Sequence, residues 1–375
     1  MIAKRASRER IRYAVVGLGH IAQVAVLPAF ANTPNSELVT IVSGDEEKRK
    51  KLSRKYHLQN VYSYDDYERA LCNVDAVYIS VPNHLHKEYA VRAADVGVQV
   101  LCEKPMAPTE AECQEMIDAA ARNAVKLMIA YRLHFEAGNL EAIKLARQQK
   151  LGELRFFTSE FAQQVAKGNV RVSESSERGG GPLYDMGVYC INAARYLFGA
   201  HPVEAAAFAT ANSQDERFKN TEEMTSAILR FPENRIATFT CSFGATDISR
   251  YTVVGSRGLL IADPAYEYAE AIEHQLKIGG KTKTRKFLKR DQFAAEIAYF
   301  SKCIIEDKQP EPSGLEGLAD IRVIEALRES VRTGKAVPIP ALPATPGPSP
   351  DQEIHRPSHD KPETVRALSP SGEAA

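Results

Sequence analysis

Two residues of this sequence, Lys104 and Tyr189, are of types that together could move a proton. Lys104 stands in Glu103-Lys104-Pro105, directly after an apolar run that predicts a buried strand. A tyrosine phenol ordinarily ionises near ~10, too high for a general base at neutral pH. A neighbouring cation favours the phenolate, so we expect the two side chains to act together if the fold brings them together. The alternative is a solvated lysine at a strand end.

Tyr189 belongs to a segment in which polar side chains recur at helical spacing. Asp185, Tyr189 and Asn192 stand at i, i+4 and i+7 and would share one face of a helix. Three glycines at 179–181 precede this helix and would let a loop pass close to a ligand. The pattern predicts the wall of an active site. The alternative is a buried tyrosine whose hydroxyl is satisfied by Asp185.

A glycine-rich turn follows the first apolar run of the chain, with the sequence Gly17-Leu18-Gly19-His20-Ile21-Ala22. The order strand, glycine turn and helix is typical of a site for the pyrophosphate of a dinucleotide. Gly17 would permit the tight turn, Gly19 would let backbone approach phosphate, and the helix N-terminus favours an anion. The alternative is a plain strand–turn–helix, because glycine-rich turns are common.

The end of the second predicted strand indicates which dinucleotide is bound. NAD-selective domains usually place Asp or Glu there, to bind the ribose 2′-hydroxyl, whereas this chain has Ser43. A hydroxyl can donate to a 2′-phosphate, and Lys48 or Arg49 could neutralise its charge. This favours NADP over NAD. In the competing interpretation, Asp45 binds the 2′-hydroxyl and the basic residues form a solvated helix face.

The pattern of apolar runs predicts an α/β protein with two domains. Strands alternate with amphipathic helices over 11–131, which indicates a Rossmann-type, doubly wound parallel sheet. Over 132–340 strand-like runs follow one another, with a hairpin turn at Pro232 to Asn234. We therefore expect an α+β domain with a largely antiparallel, open-faced sheet. Its exposed apolar face predicts a homodimer or homotetramer.

The two ends of the chain differ from the rest. Residues 1–10 are basic and form a short N-terminal extension without the apolar core of an export signal. Residues 341–375 contain seven prolines and no periodic apolar pattern. This composition predicts a disordered, proline-rich tail.

Composition argues against several classes of function. The formal net charge of +0 gives no electrostatic case for nucleic acid or an anionic membrane, and no apolar run approaches the ~20 residues of a membrane span. The six cysteines include no CxxC pair and predict reduced thiols of a cytoplasmic protein. The nine histidines form no ligand pattern, so we expect no metal.

Taken together, these segments resemble the Gfo/Idh/MocA oxidoreductase family over about 11–340. Within that family the sequence is most similar to glucose–fructose oxidoreductase and related aldose oxidoreductases, because Tyr189 and Asn192 stand where inositol dehydrogenase-like members carry His and Asp. The matching motifs are the glycine turn, Val81-Pro82-Asn83 with His86, Glu103-Lys104-Pro105, Tyr131-Arg132, and Gly179 to Asn192.

The resemblance implies roles for individual residues. Lys104, Tyr189 and Asp185 would be catalytic, and Asp185, Tyr189 and Tyr268 would contact a sugar. The implied contacts with NADP are made by Gly17, Leu18, Gly19, His20, Ile21, Ser43, Lys48, Tyr64, Ser80, Pro82, Asn83, Leu85, His86, Glu103, Lys104, Arg132 and Arg171.

The resemblance also implies an activity, the transfer of hydride between C1 of an aldose and the nicotinamide of NADP to give a lactone. Reduction of a second sugar on the same cofactor could be coupled to it. One alternative is a dehydrogenase or reductase of another polyol, such as an inositol or an anhydro-sugar. Another is a non-catalytic sensor of dinucleotide or sugar, which would not need Lys104 and Tyr189 together.

Overall fold

A parallel sheet organises the first part of the chain. The computed structural model describes residues 9–342 and 345–372, so most of the predicted N-terminal extension lies outside the described residues. The sheet has the strand order β3-β2-β1-β4-β5-β6, and all neighbouring strands are parallel. Its strands are β1 (Ile11–Val16), β2 (Ser36–Val42), β3 (Asn60–Tyr62), β4 (Ala76–Ile79), β5 (Gln99–Glu103) and β6 (Leu127–Ala130). This order is that of the dinucleotide-binding Rossmann fold, which confirms the predicted class.

Helices cover both faces of this sheet, because successive residues of a strand point to opposite sides. Tyr13 and Val15 of β1 face one apolar core, whereas Ala14 and Val16 face the other. The helices between these strands are α1 (Leu27–Ala29), which continues a π-helical turn at Ala22–Val26, α2 (Glu46–Lys55), α3 (Tyr67–Leu71), α4 (His86–Asp95) and α5 (Glu110–Arg122). The hydroxyl of Thr109 accepts a hydrogen bond from the Glu112 amide and caps α5.

A nine-stranded sheet forms most of the second part, in the order β14-β13-β12-β11-β7-β10-β9-β8-β15. Every neighbouring pair is antiparallel except β7 and β10, which are parallel. This confirms the predicted, largely antiparallel sheet. Its strands are β7 (Leu154–Ala162), β8 (Glu204–Thr210), β9 (Met224–Phe231), β10 (Arg235–Ser242), β11 (Ile248–Gly255), β12 (Gly258–Ala262), β13 (Glu273–Ile278), β14 (Lys281–Lys286) and β15 (Val337–Pro338).

Five helices complete the fold, and one of them packs elsewhere than its place in the sequence suggests. They are α6 (Ala137–Arg147), α7 (Val170–Ser173), α8 (Val188–Phe198), α9 (Gln292–Ile305) and α10 (Gly314–Thr333). Residues 132–340 were predicted to form the second domain, but α9 packs against β1 and β2 of the parallel sheet. α9 packs beside α1 on the face of the sheet that Tyr13 and Val15 line, which the order of elements along the chain does not show.

A buried ionic cluster joins α8 to α10. The Arg195 guanidinium donates to Glu316 (2.8 Å) and to Asp320 (2.5 Å), and all three side chains are almost wholly buried. Asn192 donates to the second carboxylate oxygen of Asp320 at 2.8 Å. Because buried charges need partners, these contacts fix the position of α8, which carries Tyr189.

The C-terminal tail differs from the sequence prediction. Its described part, 345–372, was expected to be disordered, yet Gln352, Ala367 and Ser369 are buried against the rest of the protein. Its contacts are mostly main-chain hydrogen bonds and single polar side chains, which leave no periodic apolar pattern in a sequence. No helix in the described part of the chain is long and apolar enough to cross a bilayer.

Candidate active site

A cleft of about 570 Å³ opens where the carboxyl ends of the parallel strands meet the second sheet. One wall consists of the glycine turn after β1 and the loops after β2, β4 and β5. The other wall consists of the glycine loop at 179–181, a π-helical turn at Leu183–Gly187, and residues of the second sheet. In open parallel sheets ligands bind in this position.

The glycine turn has the shape that a bound pyrophosphate requires. Gly17 has φ +89°, and a Cβ on it would lie 2.5 Å from the carbonyl oxygen of Ser80, so only glycine fits there. A Cβ at Gly19 would meet no atom of the described protein within 4 Å, because this position faces the open cleft. The residues of this turn therefore fit a dinucleotide pyrophosphate, as predicted.

The centre of the cleft holds a carboxylate between two cations. The Lys104 ammonium lies 2.9 Å from Oδ1 of Asp185 and also donates to the Asp185 carbonyl at 2.8 Å. The Arg171 guanidinium donates to Oδ2 of Asp185 at 2.7 Å. Lys104 directly follows β5 in the nucleotide half and Asp185 lies in the π-helical turn of the second half, so this contact joins the two halves at the site.

The charges of this group stabilise one another. Burial acts to lower the pKa of Lys104, but attraction to Asp185 and Tyr189 outweighs it, and the net shift is upward. Burial acts to raise the pKa of Asp185, but Lys104 and Arg171 hold it well below its ordinary value. At neutral pH the site therefore contains an ammonium, a carboxylate and a guanidinium.

Tyr189 lies between two cations in the same cleft. The Lys104 Nζ atom is 4.6 Å and the Arg132 Cζ atom 5.0 Å from the centroid of its ring. The rings of Phe161 and Tyr266 pack against it at centroid distances of 5.6 and 5.9 Å, which restricts its orientation. Asp185 is bonded to Lys104 and Arg171, so the alternative of a buried tyrosine satisfied by Asp185 is wrong.

Arg132 is itself held by the second half of the protein. Its guanidinium donates to the Gln292 side chain at 2.6 Å and to the Tyr266 carbonyl at 2.5 Å, and its Cζ atom is 5.3 Å from the Tyr268 ring centroid. Arg132 therefore places a fixed positive charge beside Tyr189 and Tyr268, at the deep end of the cleft.

The far end of the cleft is lined by Ser43 in the loop after β2, Lys48 in α2 and Tyr64 after β3. Asp45, the competing ligand for a ribose hydroxyl, instead caps α2, since its Oδ1 accepts from the Lys48 amide at 3.1 Å. It also pairs with Arg366 of the tail at 3.4 Å. Lys48 is half-buried, and burial lowers the pKa of its ammonium.

Of the site residues that the resemblance implies, all but Leu85 line this cleft. The Leu85 side chain packs against the apolar core. His86 lines the cleft but is 1% exposed, and its Nδ1 and Nε2 each lie 2.9 Å from a carbonyl oxygen, of Pro105 and Val81. It therefore holds together the loops that end β4 and β5.

Asn192 departs from the predicted polar face. Its side chain bonds to Asp320 instead of facing the cleft, because seven residues of helix carry it about 10 Å along the axis, beyond the site. The glycine loop lines the cleft, and within the described residues its close approaches are to protein. A Cβ at Gly180 would lie 2.2 Å from the Glu174 carbonyl oxygen, and the Gly179 carbonyl accepts a hydrogen bond from Asn83 at 2.7 Å.

Several residues of the cleft were not predicted from the sequence. They include Phe161 near the end of β7, Gln163 just after β7, Glu267 beside Tyr268, and Pro370 in the tail. Phe161 ends a predicted strand, which is a weak signal of a site. Nothing in the sequence around Pro370 indicates a site.

In the described residues, no group of three or more His, Cys, Asp or Glu side chains is placed to hold a metal ion.

A parallel sheet in this order, with a glycine turn opening onto a lysine and a tyrosine, defines a dinucleotide-binding oxidoreductase. Comparison with known families agrees. The family model described as "Oxidoreductase family, NAD-binding Rossmann fold" matches residues 11–131, and the "GFO/IDH/MocA C-terminal domain" model matches residues 139–261. The chain belongs to the GFO/IDH/MocA oxidoreductase family.

Two known proteins are similar to this one over most of the chain, and a third is similar over about half of it. D-xylose 1-dehydrogenase [NADP(+)] of Haloarcula marismortui is 30% identical over 335 residues, which are 87% of this chain and 92% of that protein. The crystal structure of aldose-aldose oxidoreductase from Caulobacter crescentus, complexed with glycerol, is 36% identical with a TM-score of 0.84. The match covers 88% of this chain and 100% of that one. scyllo-Inositol 2-dehydrogenase (NADP(+)) of Bacillus subtilis is 36% identical over 213 residues, 55% of this chain and 64% of that protein.

The charge of Asp185 should make the stability of the protein depend on pH. We expect Asp185→Asn to lower the free energy of unfolding at neutral pH by about 2–4 kcal/mol, because two partly buried cations lose their carboxylate. Since the folded-state pKa lies below the ordinary value of 3.8, the contribution of the carboxylate is full above pH 3.8 and is lost as the pH falls through the folded-state value.

Urea unfolding of the two proteins between pH 3 and pH 7 checks this. The difference in unfolding free energy should be constant from pH 7 to 5 and should shrink below 3.8. Asp118→Asn is the matched control, because Asp118 is exposed, and it should change stability by about 0.5 kcal/mol or less. A difference that widens in acid would contradict the assignment.

Proposed function

We propose that this protein is an NADP-dependent oxidoreductase of aldoses, which transfers hydride between C1 of the sugar and the nicotinamide. The observation that carries the proposal is the meeting of Lys104 and Tyr189, 4.6 Å apart from ammonium to ring centroid, in the cleft that begins at the glycine turn. The names of the xylose dehydrogenase and the aldose-aldose oxidoreductase support the substrate class.

Each side chain has a defined part in the reaction. NADP, when bound, supplies the acceptor for hydride. As the C1–H bond of the aldose breaks with its electron pair, Tyr189 accepts the proton of the C1 hydroxyl and a lactone carbonyl forms. The Lys104 ammonium stabilises the phenolate that accepts this proton, and Asp185 and Arg171 hold Lys104 in place.

The polar residues of the cleft fit NADP better than NAD. Ser43 and Lys48 can donate hydrogen bonds to a 2′-phosphate. The carboxylate of Asp45 would repel that phosphate, but it caps α2 and pairs with Arg366. The relatives named for NADP(+) agree with this choice.

Because the reaction is reversible on one cofactor, we also propose that the lactone-forming step is coupled to reduction of a second aldose to an alditol.

Removal of the phenol should abolish catalysis without abolishing cofactor binding. We expect Tyr189→Phe and Lys104→Ala each to lower kcat for aldose oxidation by roughly 10²–10⁴, the usual contribution of a general acid–base group. Calorimetric titration with NADP should give nearly unchanged affinity for Tyr189→Phe. Tyr62→Phe, on an edge strand outside the cleft, is the control and should retain full activity. Undiminished turnover in Tyr189→Phe would refute the assignment.

Lys48 should determine the preference for the 2′-phosphate. We expect Lys48→Ala to weaken NADP binding by roughly tenfold or more, because a hydrogen bond to a charged group is worth about 1.5–3 kcal/mol. NAD binding should change by less than about twofold. Titration of both nucleotides measures the ratio, with Lys51→Ala as the control, since Lys51 pairs with Glu47 on the exposed side of α2. Equal losses for NAD and NADP would contradict this role.

The second sheet offers a surface for a second copy of the chain. Along β9 exposed and buried residues alternate, and the exposed face carries Phe208 (82% exposed), Ile228 (52%) and Phe156 (44%). Charges on this face already pair within the chain, as Arg230 does with Glu204 at 3.0 Å. The apolar part of this face suits a two-fold symmetric partner, so we propose a homo-oligomer through this sheet.

A charged side chain on the apolar part of this face should separate the two copies of the protein. We expect Phe208→Glu to convert the oligomer to a monomer in light scattering after gel filtration, because an unpaired carboxylate would be buried at the contact. Leu288→Glu is the matched control, since Leu288 is 77% exposed and lies after β14. Its mass should equal that of the unmodified protein. A monomeric unmodified protein would exclude this surface as a stable interface.

A further inference from the structure

The last part of the chain, here called the C-terminal strap (residues 359–372), lies across the cofactor cleft. It begins at His359, whose Nδ1 lies 3.0 Å from the Asp291 carboxylate and whose Nε2 lies 3.0 Å from the Val24 carbonyl oxygen. It reaches Pro370, which is among the residues that line the cleft. The strap therefore forms part of the wall of the site.

On the nucleotide side the strap is bonded to the glycine turn through Gln23. The Val365 amide donates to the Gln23 side chain at 2.7 Å, and the Gln23 side chain donates back to the Val365 carbonyl at 3.0 Å. The same Gln23 nitrogen donates to the Leu18 carbonyl, inside the turn, at 2.9 Å. Gln23 is 1% exposed, so this bridge is shielded from water.

On the opposite side the strap is bonded to the second half of the protein. The Ala166 amide donates to the Pro370 carbonyl at 2.8 Å, and the Asn169 side chain donates to the Ser369 carbonyl at 3.4 Å. Ser369 and Ala367 are each 7% exposed. A segment fixed on both sides of a cleft must be released on at least one side before a large ligand beneath it can leave.

The strap also brings cations to both ends of the cofactor wall. Arg366 lies 3.4 Å from Asp45 and 3.5 Å from Glu47, beside the loop that lines the Ser43 end. At the other end, the pKa of His20 in the glycine turn is lowered to about 4 by burial, and further by the charges of Arg171 and Lys361. Lys361 lines a neighbouring hollow together with Tyr268 and Phe293, which also line the cleft.

We propose that the C-terminal strap completes the NADP site and slows release of the nucleotide, so that both half-reactions occur on one bound cofactor. This inference rests on the proposed function. In the first half-reaction one aldose gives up hydride from C1 and its hydroxyl proton to become a lactone. In the second half-reaction the aldehyde carbon of another aldose receives that hydride and its oxygen receives the proton, giving an alditol. The electrons and protons balance without an external oxidant.

The test compares the full chain with a chain that ends at Asp360, both loaded with NADPH. Release is followed by the fall in NADPH fluorescence in the presence of excess NADP. We expect release from the shortened chain to be faster by on the order of tenfold or more, because lost contacts appear mainly in the dissociation rate. Equal rates in two proteins with the same circular dichroism would overturn the proposal.

A second variant keeps the test decisive if the shortened chain does not fold. In the full-length chain, Lys361→Ala with Arg366→Ala removes the two cations and should also accelerate release. Arg332→Ala is the matched control, because Arg332 pairs with Glu329 on the exposed end of α10, and its release rate should equal that of the unmodified protein. Unchanged release in the double variant, when the shortened chain is unfolded, would overturn the proposal.

Product analysis separates this inference from the proposed function. With two aldoses and no added nucleotide, the loaded full chain should form lactone and alditol in equal amounts, whereas the shortened chain should lose this activity on dilution and recover it with added NADP. If the full chain neither binds NADP nor turns over aldoses, the proposed function fails. If it does both but the shortened chain retains NADPH equally well, only the role of the strap fails.

Discussion

The contact of Lys104 with Asp185 is the constraint on which the rest of the site depends. It joins the end of a strand in one half of the protein to the start of a helical segment in the other, at 2.9 Å. Both groups are poorly exposed, so each would be costly without the other, and Arg171 completes the pairing. The same contact that holds the halves together also places a permanent cation beside the Tyr189 ring.

The surroundings of this contact explain why it forms. Lys104 is delivered by β5 at the carboxyl edge of the sheet, and α8 is fixed from behind by the pairing of Arg195 with Glu316 and Asp320. His86 contacts the carbonyl oxygens of Val81 and Pro105, and so joins the loop after β4 to the loop after β5, which contains Lys104. The precision of the site therefore comes from buried polar contacts outside the cleft, as well as from the residues that line it.

Much of the fold was predictable because its signals are local. Apolar runs and the glycine turn gave the parallel sheet, and alternating residues gave β9 and β10 with their hairpin. Two of the strands that the sequence did not predict, β14 and β3, lack such a signal. β14 is Lys-Thr-Lys-Thr-Arg-Lys and fully exposed, and β3 has three residues. The turn of Gly279 and Gly280, both with positive φ, could have indicated the β13–β14 hairpin.

The site was predictable to the extent that it lies in short motifs. The directions of side chains on a helix beyond one turn, as for Asn192, depend on what packs around the helix. The cover provided by the tail could not be predicted, because single hydrogen bonds such as that of Ala166 with Pro370 involve main-chain atoms that every sequence possesses. A proline-rich composition predicts that a segment is disordered in isolation. Contacts with the rest of the protein can nevertheless order the same segment.

The parallel pairing of β7 with β10 also bears on how the chain folds. Ile236 of β10 pairs with Phe156 of β7, so the two central strands of the large sheet are about 80 residues apart in sequence. A hairpin cannot form this pair, because parallel strands need a long crossover connection. In the sheet β7 lies between β10 and β11, so it can pair with its neighbours only after both have been synthesised. Closing so long a loop is entropically slow, whereas in the first sheet every neighbouring pair except β1 and β4 is successive in sequence. The parallel sheet can thus begin to form early in synthesis, whereas α9, which packs against β1 and β2, and the larger sheet are completed only after most of the polypeptide has emerged.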